Sequence, residues 1–189
     1  MIKLRKDKKE ESLQKRRAMA STQVPQSTSD VNTSAPASGQ NSANAAKQVY
    51  DASDIPMFMQ TLRKPGVTQE EVLASVRGFR KILSVEHEPP VEAVLECGIM
   101  PILVQLLSTS DGEKSEDIQF ESAWALTNVA STSHTRTVVE HGALSPLIQM
   151  LMSGNADVRD QSIWCLGNIA GDCPELRDIV IKSGALPAL

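Results

Sequence analysis

Aromatic residues are few in this 189-residue chain, six in all, and glycine numbers only ten. A β-sandwich or barrel draws on aromatic and β-branched strands, so this shortage argues against an all-β fold. The abundant Leu, Ala, Val and Ile favour helices packed through aliphatic side chains. No run approaches the roughly 18 apolar residues that a membrane span needs, and the N-terminus is too charged for a secretory signal peptide. The expectation is a soluble, intracellular protein without membrane insertion. Cysteine is scarce as well. Cys97, Cys165 and Cys173 are odd in number and lack the C-x-x-C spacing of a zinc knuckle or redox motif, which leaves them as small buried hydrophobes in a reducing compartment.

Against these shortages stand 41% hydrophobic and 22% charged residues, enough for one core with a tail to spare. The net charge of −4 conceals an asymmetry. Residues 1–17 hold eight basic side chains, among them Lys15, Arg16 and Arg17, against three acidic ones, a net of +5 that leaves −9 for the other 172 residues. Such a tail can bind nucleic acid, a membrane surface or an acidic protein, or fold back on its own body; a solvated charged helix is the plain alternative. Residues 18–49 are mostly Ser, Thr, Gln, Asn, Ala and Pro, too poor in apolar surface to offset the entropy of ordering. They read as a flexible linker with a root-mean-square span of roughly 30 Å, so the tail can reach the body.

Residues 50–189 switch to helical periodicity. Asp54 is expected to cap a helix containing Ile55, Phe58 and Leu62 that Pro65-Gly66 ends, and Thr68 with Glu71 has the form of a capping box before a second helix through Val76, Phe79 and Leu83. Beyond them the sequence repeats. Glu96-Cys-Gly-Ile-Met-Pro-Ile-Leu, Glu140-His-Gly-Ala-Leu-Ser-Pro-Leu and Lys182-Ser-Gly-Ala-Leu-Pro-Ala-Leu align, with Gly98, Gly142 and Gly184 spaced 44 and 42 residues apart. A second register agrees: Trp124 and Trp164, then Asn128 and Asn168, lie 40 apart. Each unit reads as a short helix ending at glycine, a second helix starting near proline, and a longer third one. The fold class expected is all-α, an armadillo-type α-solenoid forming a right-handed superhelix of three-helix repeats, about three with the start of a fourth, preceded by the basic tail and disordered linker. The first unit, about residues 51–85, matches in outline only, with Arg77 and Lys81 at the positions of Trp and Asn.

Trp124 and Asn128 share one helix face, as do Trp164 and Asn168, and stacking turns them into two parallel rows. An asparagine amide both donates and accepts, so a row of them can hold the main chain of an extended peptide without reading its sequence. Neighbouring indoles make slots for Lys or Arg stems, with cation–π attraction to the heads. Asp172, eight residues past Trp164, is placed to add charge selection. Core packing is the ordinary role of tryptophan. Here aliphatic residues already supply the apolar stripe, and Trp with Asn at the same offset twice points to a groove instead.

At these residues the sequence resembles a known family. Glu121-Ser-Ala-Trp-Ala-Leu-Thr-Asn-Val-Ala-Ser and Ile163-Trp-Cys-Leu-Gly-Asn-Ile-Ala-Gly-Asp172 look like the second and third armadillo repeats of importin alpha, the adaptor that carries proteins with a nuclear localisation signal. Leu4-Arg-Lys-Asp-Lys-Lys-Glu-Glu-Ser-Leu-Gln-Lys-Arg-Arg17 resembles the C-terminal half of that family's importin-beta-binding segment. The resemblance implies a signal-binding ladder of Trp124, Asn128, Trp164 and Asn168 with Gln161 beside it. It implies that Thr137 and Asp172 receive the principal lysine, with Ser131 and Gly171 on the same rim, and that Lys15-Arg16-Arg17 is an autoinhibitory mimic of a cargo signal. The implied partners are basic signal-bearing proteins and importin beta, the latter weakened because the family's upstream arginine-rich stretch is unmatched here. Val85 stands where an arginine is expected. The implied location is shuttling between cytoplasm and nucleus, and the expected chain is a truncated adaptor, since full-length members have about ten repeats. The alternative is an armadillo scaffold for other protein ligands.

Enzyme and cofactor readings find no inventory. His87, His134 and His141 are scattered without a Cys or acidic motif to complete a metal site, and Lys114-Ser115 lacks the glycines of a phosphate-binding loop. Gly167 and Gly171 read as close helix packing or a helix end. Direct nucleic-acid binding is disfavoured by the acidic body and by a tail without aromatics.

Overall fold

The computed structural model describes residues 50–85 and 88–188. The basic segment 1–17 and the linker 18–49 expected from composition lie outside the described residues, as does His87. A 3₁₀ turn, Ala52–Asp54, leads into helices α1 (Ile55–Leu62) and α2 (Gln69–Leu83). Next come α3 (Val91–Glu96), α4 (Met100–Leu106) and α5 (Ser115–Ala130), then α6 (Thr135–Glu140), α7 (Leu144–Met150) and α8 (Ala156–Asp172). α9 (Pro174–Lys182) and α10 (Ala185–Ala188) begin a further unit. There is no strand among the described residues. The long helices α2, α5 and α8 stack in succession, with the shorter pairs packed alongside.

Local chemistry accounts for the boundaries. The Thr68 hydroxyl accepts from the Glu71 N–H at 3.2 Å while the Glu71 carboxylate accepts from the Thr68 N–H at 2.9 Å, the expected capping box. The Thr68 N–H, with Lys64 beside it, holds the Glu71 carboxyl down to about 2. This cap is therefore intact above the ordinary glutamate range and is lost as pH falls toward that value. Asp54 departs from expectation. Its carboxylate turns back to accept from the Asp51 N–H at 3.0 Å and makes no bond into α1. Pro56 at the second helical position has no N–H for Asp54 to receive.

The repeated glycines have one conformational task. Gly98, Gly142 and Gly184 have φ of +80°, +81° and +84°, the left-handed turn that ends each short first helix and redirects the chain into the second. Gly78, inside α2, serves packing instead, because a methyl group there would run into the ring of Phe58.

One apolar core runs through the stack, from Phe58, Phe79 and Leu83 through Leu103, Leu126 and Val129 to Leu147, Cys165 and Ile169. Of the three cysteines only Cys165 is buried; Cys97 and Cys173 are half-buried, a partial correction to the expectation for all three. Burial pushes the Cys165 thiol up to about 12, which keeps it unreactive.

The last ten residues of α5, Glu121–Ala130, are buried on every side because α2 covers one flank and α8 the other. At the corresponding positions of α8, forty residues on, Ile163 is 43% exposed where Ala123 is 0%, and Gly167 is exposed where Thr127 is buried. The repeat register thus assigns opposite costs to equivalent changes. In this chain Ala123→Lys should destabilise by more than about 3 kcal/mol in urea denaturation, whereas Ile163→Lys should stay within about 0.5 kcal/mol of the parent. Gly78→Ala should cost about 1–3 kcal/mol through overpacking, read in the same assay.

Candidate functional site

The two junctions between long helices carry the same polar arrangement. At the first, the Asn128 side-chain amide donates to the Arg80 carbonyl at 3.4 Å and to the Ser84 hydroxyl at 3.0 Å. At the second, the Asn168 amide donates to the Thr127 carbonyl at 3.2 Å. The residues seven positions before each asparagine follow the same rule: Glu121 pairs with the Arg80 side chain, and the Gln161 amide donates to the Thr127 hydroxyl at 2.8 Å. Arg80 therefore stands to α5 as Thr127 stands to α8. That register puts Arg77 and Lys81 of α2 where α5 has Trp124 and Asn128, the correspondence read from the sequence.

Both asparagines are almost fully buried, at 3% and 5% exposure. Their amides thus tie each long helix to the backbone of the one before it, a structural role added to the one expected from the sequence. Ser131, the C-cap of α5, is buried and its hydroxyl donates to the Asn128 carbonyl at 2.7 Å. Gln161 is buried with Thr127.

The indoles differ from the open row expected. Trp164 is half-buried on α8, but Trp124 is only 4% exposed. Phe120 and Trp124 meet in a T-shaped arrangement with ring centroids 5.5 Å apart, and the Arg80 guanidinium lies 4.3 Å from the Trp124 ring centroid. The expected slot for a ligand's cation is thus taken on one face by the protein's own. Glu121, with a side chain 5% exposed, holds Arg80 there: one carboxylate oxygen accepts from Arg80 Nε and the other from Arg77 Nε, both at 2.7 Å. A carboxylate this buried is stable because it is doubly paired.

Asp172 closes α8 and is half-buried, with Gly171 exposed beside it. Thr137 stands on a separate short helix that packs against both α5 and α8. It lies in the short helix α6, half-buried, and its carbonyl is 2.8 Å from His141 Nδ1. None of the hydrogen bonds that join the asparagine-bearing helices involves it. Ladder residues Trp124, Asn128, Gln161 and Asn168 are thus drawn into one seam through Arg80, Ser84, Glu121 and Thr127. Sequence reasoning missed Arg80, Ser84 and Thr127 as seam partners. Their only signal was register, and it required knowing that α2 aligns with α5.

No group of three or more His, Cys, Asp or Glu among the described residues could hold a metal ion. An open cleft lined by Ile55, Met59, Arg63 and Cys97 contains none of the seam residues.

Units of two short helices and one long, turned by a left-handed glycine and stacked through their long helices, define an armadillo-repeat protein. The armadillo/beta-catenin-like repeat family matches residues 87–131 and 131–171, and the importin beta binding domain family matches residues 1–70. The chain is 39% identical to importin subunit alpha-2 of Arabidopsis thaliana over 98% of its own length, and 46% identical to probable importin subunit alpha-A of Dictyostelium discoideum over 64%. It spans 33% and 22% of the length of these relatives. Among solved structures, a designed armadillo repeat protein in complex with peptide (KR)4 is similar with a TM-score of 0.62 and 30% identity, over 71% of this chain and 54% of that one. The chain belongs to the importin alpha family.

The buried ion pair generates a direct test. Glu121→Ala leaves two guanidinium groups without their shared acceptor and should cost about 1–3 kcal/mol in urea denaturation. Arg77→Ala should cost less, about 0.5–1 kcal/mol, since the Arg77 side chain is 45% exposed.

Proposed function

We propose that the stacked long helices bind an extended Lys/Arg-rich peptide, and that the protein acts as a nuclear import adaptor which joins proteins bearing basic nuclear localisation signals to importin beta. The observation that carries this reading is the Trp–x–x–x–Asn pattern repeated on α5 and α8, aligned by matching inter-helix bonds, with Asp172 at the end of α8. The similar designed armadillo protein in complex with peptide (KR)4 supports it, because alternating Lys and Arg is the ligand chemistry such a face selects.

In this reading Trp124, Asn128, Ser131, Gln161, Trp164, Asn168, Gly171 and Asp172 form the peptide-binding face. Thr137 joins them only through the family resemblance. Residues 1–17 form the importin-beta-binding and autoinhibitory segment, 18–49 the linker and 50–189 the repeats; the family match to residues 1–70 supports importin beta as a partner. Lys15, Arg16 and Arg17 compete for the groove as a tethered mimic of cargo. The protein shuttles between cytoplasm and nucleus and has no catalytic role.

Fluorescence anisotropy with a labelled Lys/Arg-rich peptide tests the groove. Trp164→Ala should weaken binding by about 1–2 kcal/mol, and Asp172→Lys should weaken it more by setting like charge against the ligand. A folded double variant with unchanged affinity would remove the assignment. Deleting residues 1–17 should raise peptide affinity, because a tethered competitor acts at an effective concentration on the order of millimolar. The gain should shrink at high salt. If the deletion instead abolishes DNA or RNA binding and leaves peptide affinity alone, the tail is a nucleic-acid-binding element.

A further inference from the structure

The seam is chemically asymmetric. Trp124 and Trp164 hold equivalent positions on successive long helices, but the residue of the preceding helix at the matching register is Arg80 for the first and Thr127 for the second. Arg80 is anchored from two sides. Its Nε donates to Glu121 at 2.7 Å and its Nη2 to the other oxygen of the same carboxylate at 3.3 Å, while its guanidinium lies 4.3 Å from the Trp124 ring centroid. The side chain is only 16% exposed. A planar guanidinium held by a two-point carboxylate contact against an indole face is a fixed cation, not a passing contact.

The charge around each indole follows from this. At Trp124, Arg77 and Arg80 share the single carboxylate of Glu121, leaving a net charge of +1, and Lys81 lies one residue further along α2. At Trp164 the neighbouring seam residues, Gln161 and Thr127, are neutral, and α8 ends in Asp172. The two seams thus differ in charge, one carrying a buried ion cluster and the other a neutral amide–hydroxyl pair. Among the described residues, a ligand cation brought to Trp124 meets an indole already polarised by one cation and a local excess of positive charge, whereas the seam pair Gln161–Thr127 at the Trp164 register is uncharged.

We propose that Arg80 is a specificity-determining residue of this groove: held by Glu121 against Trp124, it fills the cation position there with the protein's own charge, so that a bound basic peptide sets its cationic heads at Trp164 and Asp172 and a neutral side chain at Trp124. This rests on the peptide-binding reading above and adds a polarity to it. The groove reads a basic cluster followed by an uncharged residue, not a uniform run of charge. Arg80 acts through the indole and the local field, and it also positions Trp124 for contact with the peptide.

The test uses the full chain and a set of labelled peptides with one Lys/Arg core, extended by either Ser or Lys at one end or the other. Against the parent protein, Lys in place of Ser at the end that reaches Trp124 should give no gain in affinity, whereas Lys at the opposite end should raise it roughly fivefold. In Arg80→Met, which removes the fixed cation, leaves Glu121 paired with Arg77 and takes the local charge from +1 to zero, both extensions should raise affinity by similar factors. Arg80→Lys, which keeps the charge on Glu121, should retain the parent's discrimination, an outcome that a purely structural role for Arg80 does not produce. Equal gains at both ends in the parent protein would overturn the proposal without need of any variant. So would unchanged discrimination in Arg80→Met. If no peptide of the set binds and Trp164→Ala changes nothing, it is the groove reading that fails; if the core peptide binds through Trp164 and discrimination is absent, only the role of Arg80 falls.

Discussion

Everything described depends on the stacking of α2, α5 and α8. No single unit covers its own apolar face, and α5 shows the consequence most clearly, since its last ten residues are buried between the helices on either flank. Burial of the whole apolar core, to which Leu126 and Val129 on one long helix and Cys165 and Ile169 on the next belong, contributes the bulk of the favourable free energy, at about 25 cal/mol per Å² of apolar surface. The cross-helix amide bonds contribute about 1 kcal/mol each and fix the register. Sliding one long helix by a residue would withdraw Asn128 from Ser84 and Asn168 from Thr127 while leaving much of the aliphatic contact in place. Aliphatic burial makes the stack stable, and the polar seam makes it unique.

The same seam links architecture to the proposed activity. An asparagine whose amide is anchored to the preceding helix is a rigid group, and rigid hydrogen-bonding groups hold an extended main chain at lower entropic cost than mobile ones. The buried Glu121 with its two arginines does the equivalent for Trp124, whose ring is held by Arg80 on one face and by a T-shaped contact with Phe120. Residues that make the solenoid cohere are thus the residues that stiffen its candidate binding face. Substitutions along the seam will register in both stability and affinity, and the two readouts have to be taken together.

The sequence by itself determined the helical class, the repeat and its register. The scarcity of aromatic residues, the recurrence of glycine every 42 to 44 residues and the second register of Trp and Asn are chain-local facts, and each answers to local physics: a left-handed turn needs glycine, and Thr68 with Glu71 three residues on caps α2 whatever packs against it. Membership of a family was legible in the same motifs. Pattern also placed Arg77 and Lys81 at the positions that Trp and Asn hold in α5, a correspondence that the inter-helix bonds reproduce.

Only the tertiary structure decided what those residues touch. Trp124 and Trp164 hold the same repeat position, yet one is buried with Arg80 over its ring and the other is half-buried, with Thr127 at the register that Arg80 holds for the first, because the difference lies in a helix more than thirty residues upstream of each. Ala123 and Ile163 occupy the same repeat position, and one is buried and the other open, because burial depends on whether a neighbouring helix covers that face. Periodicity could not expose this for α5, since a helix surrounded on all sides has no polar face to mark its orientation. Propensity, capping and turn chemistry act within a few residues and can be read along the chain. Side-chain partners, exposure and local charge are sums over groups that folding brings together from distant positions.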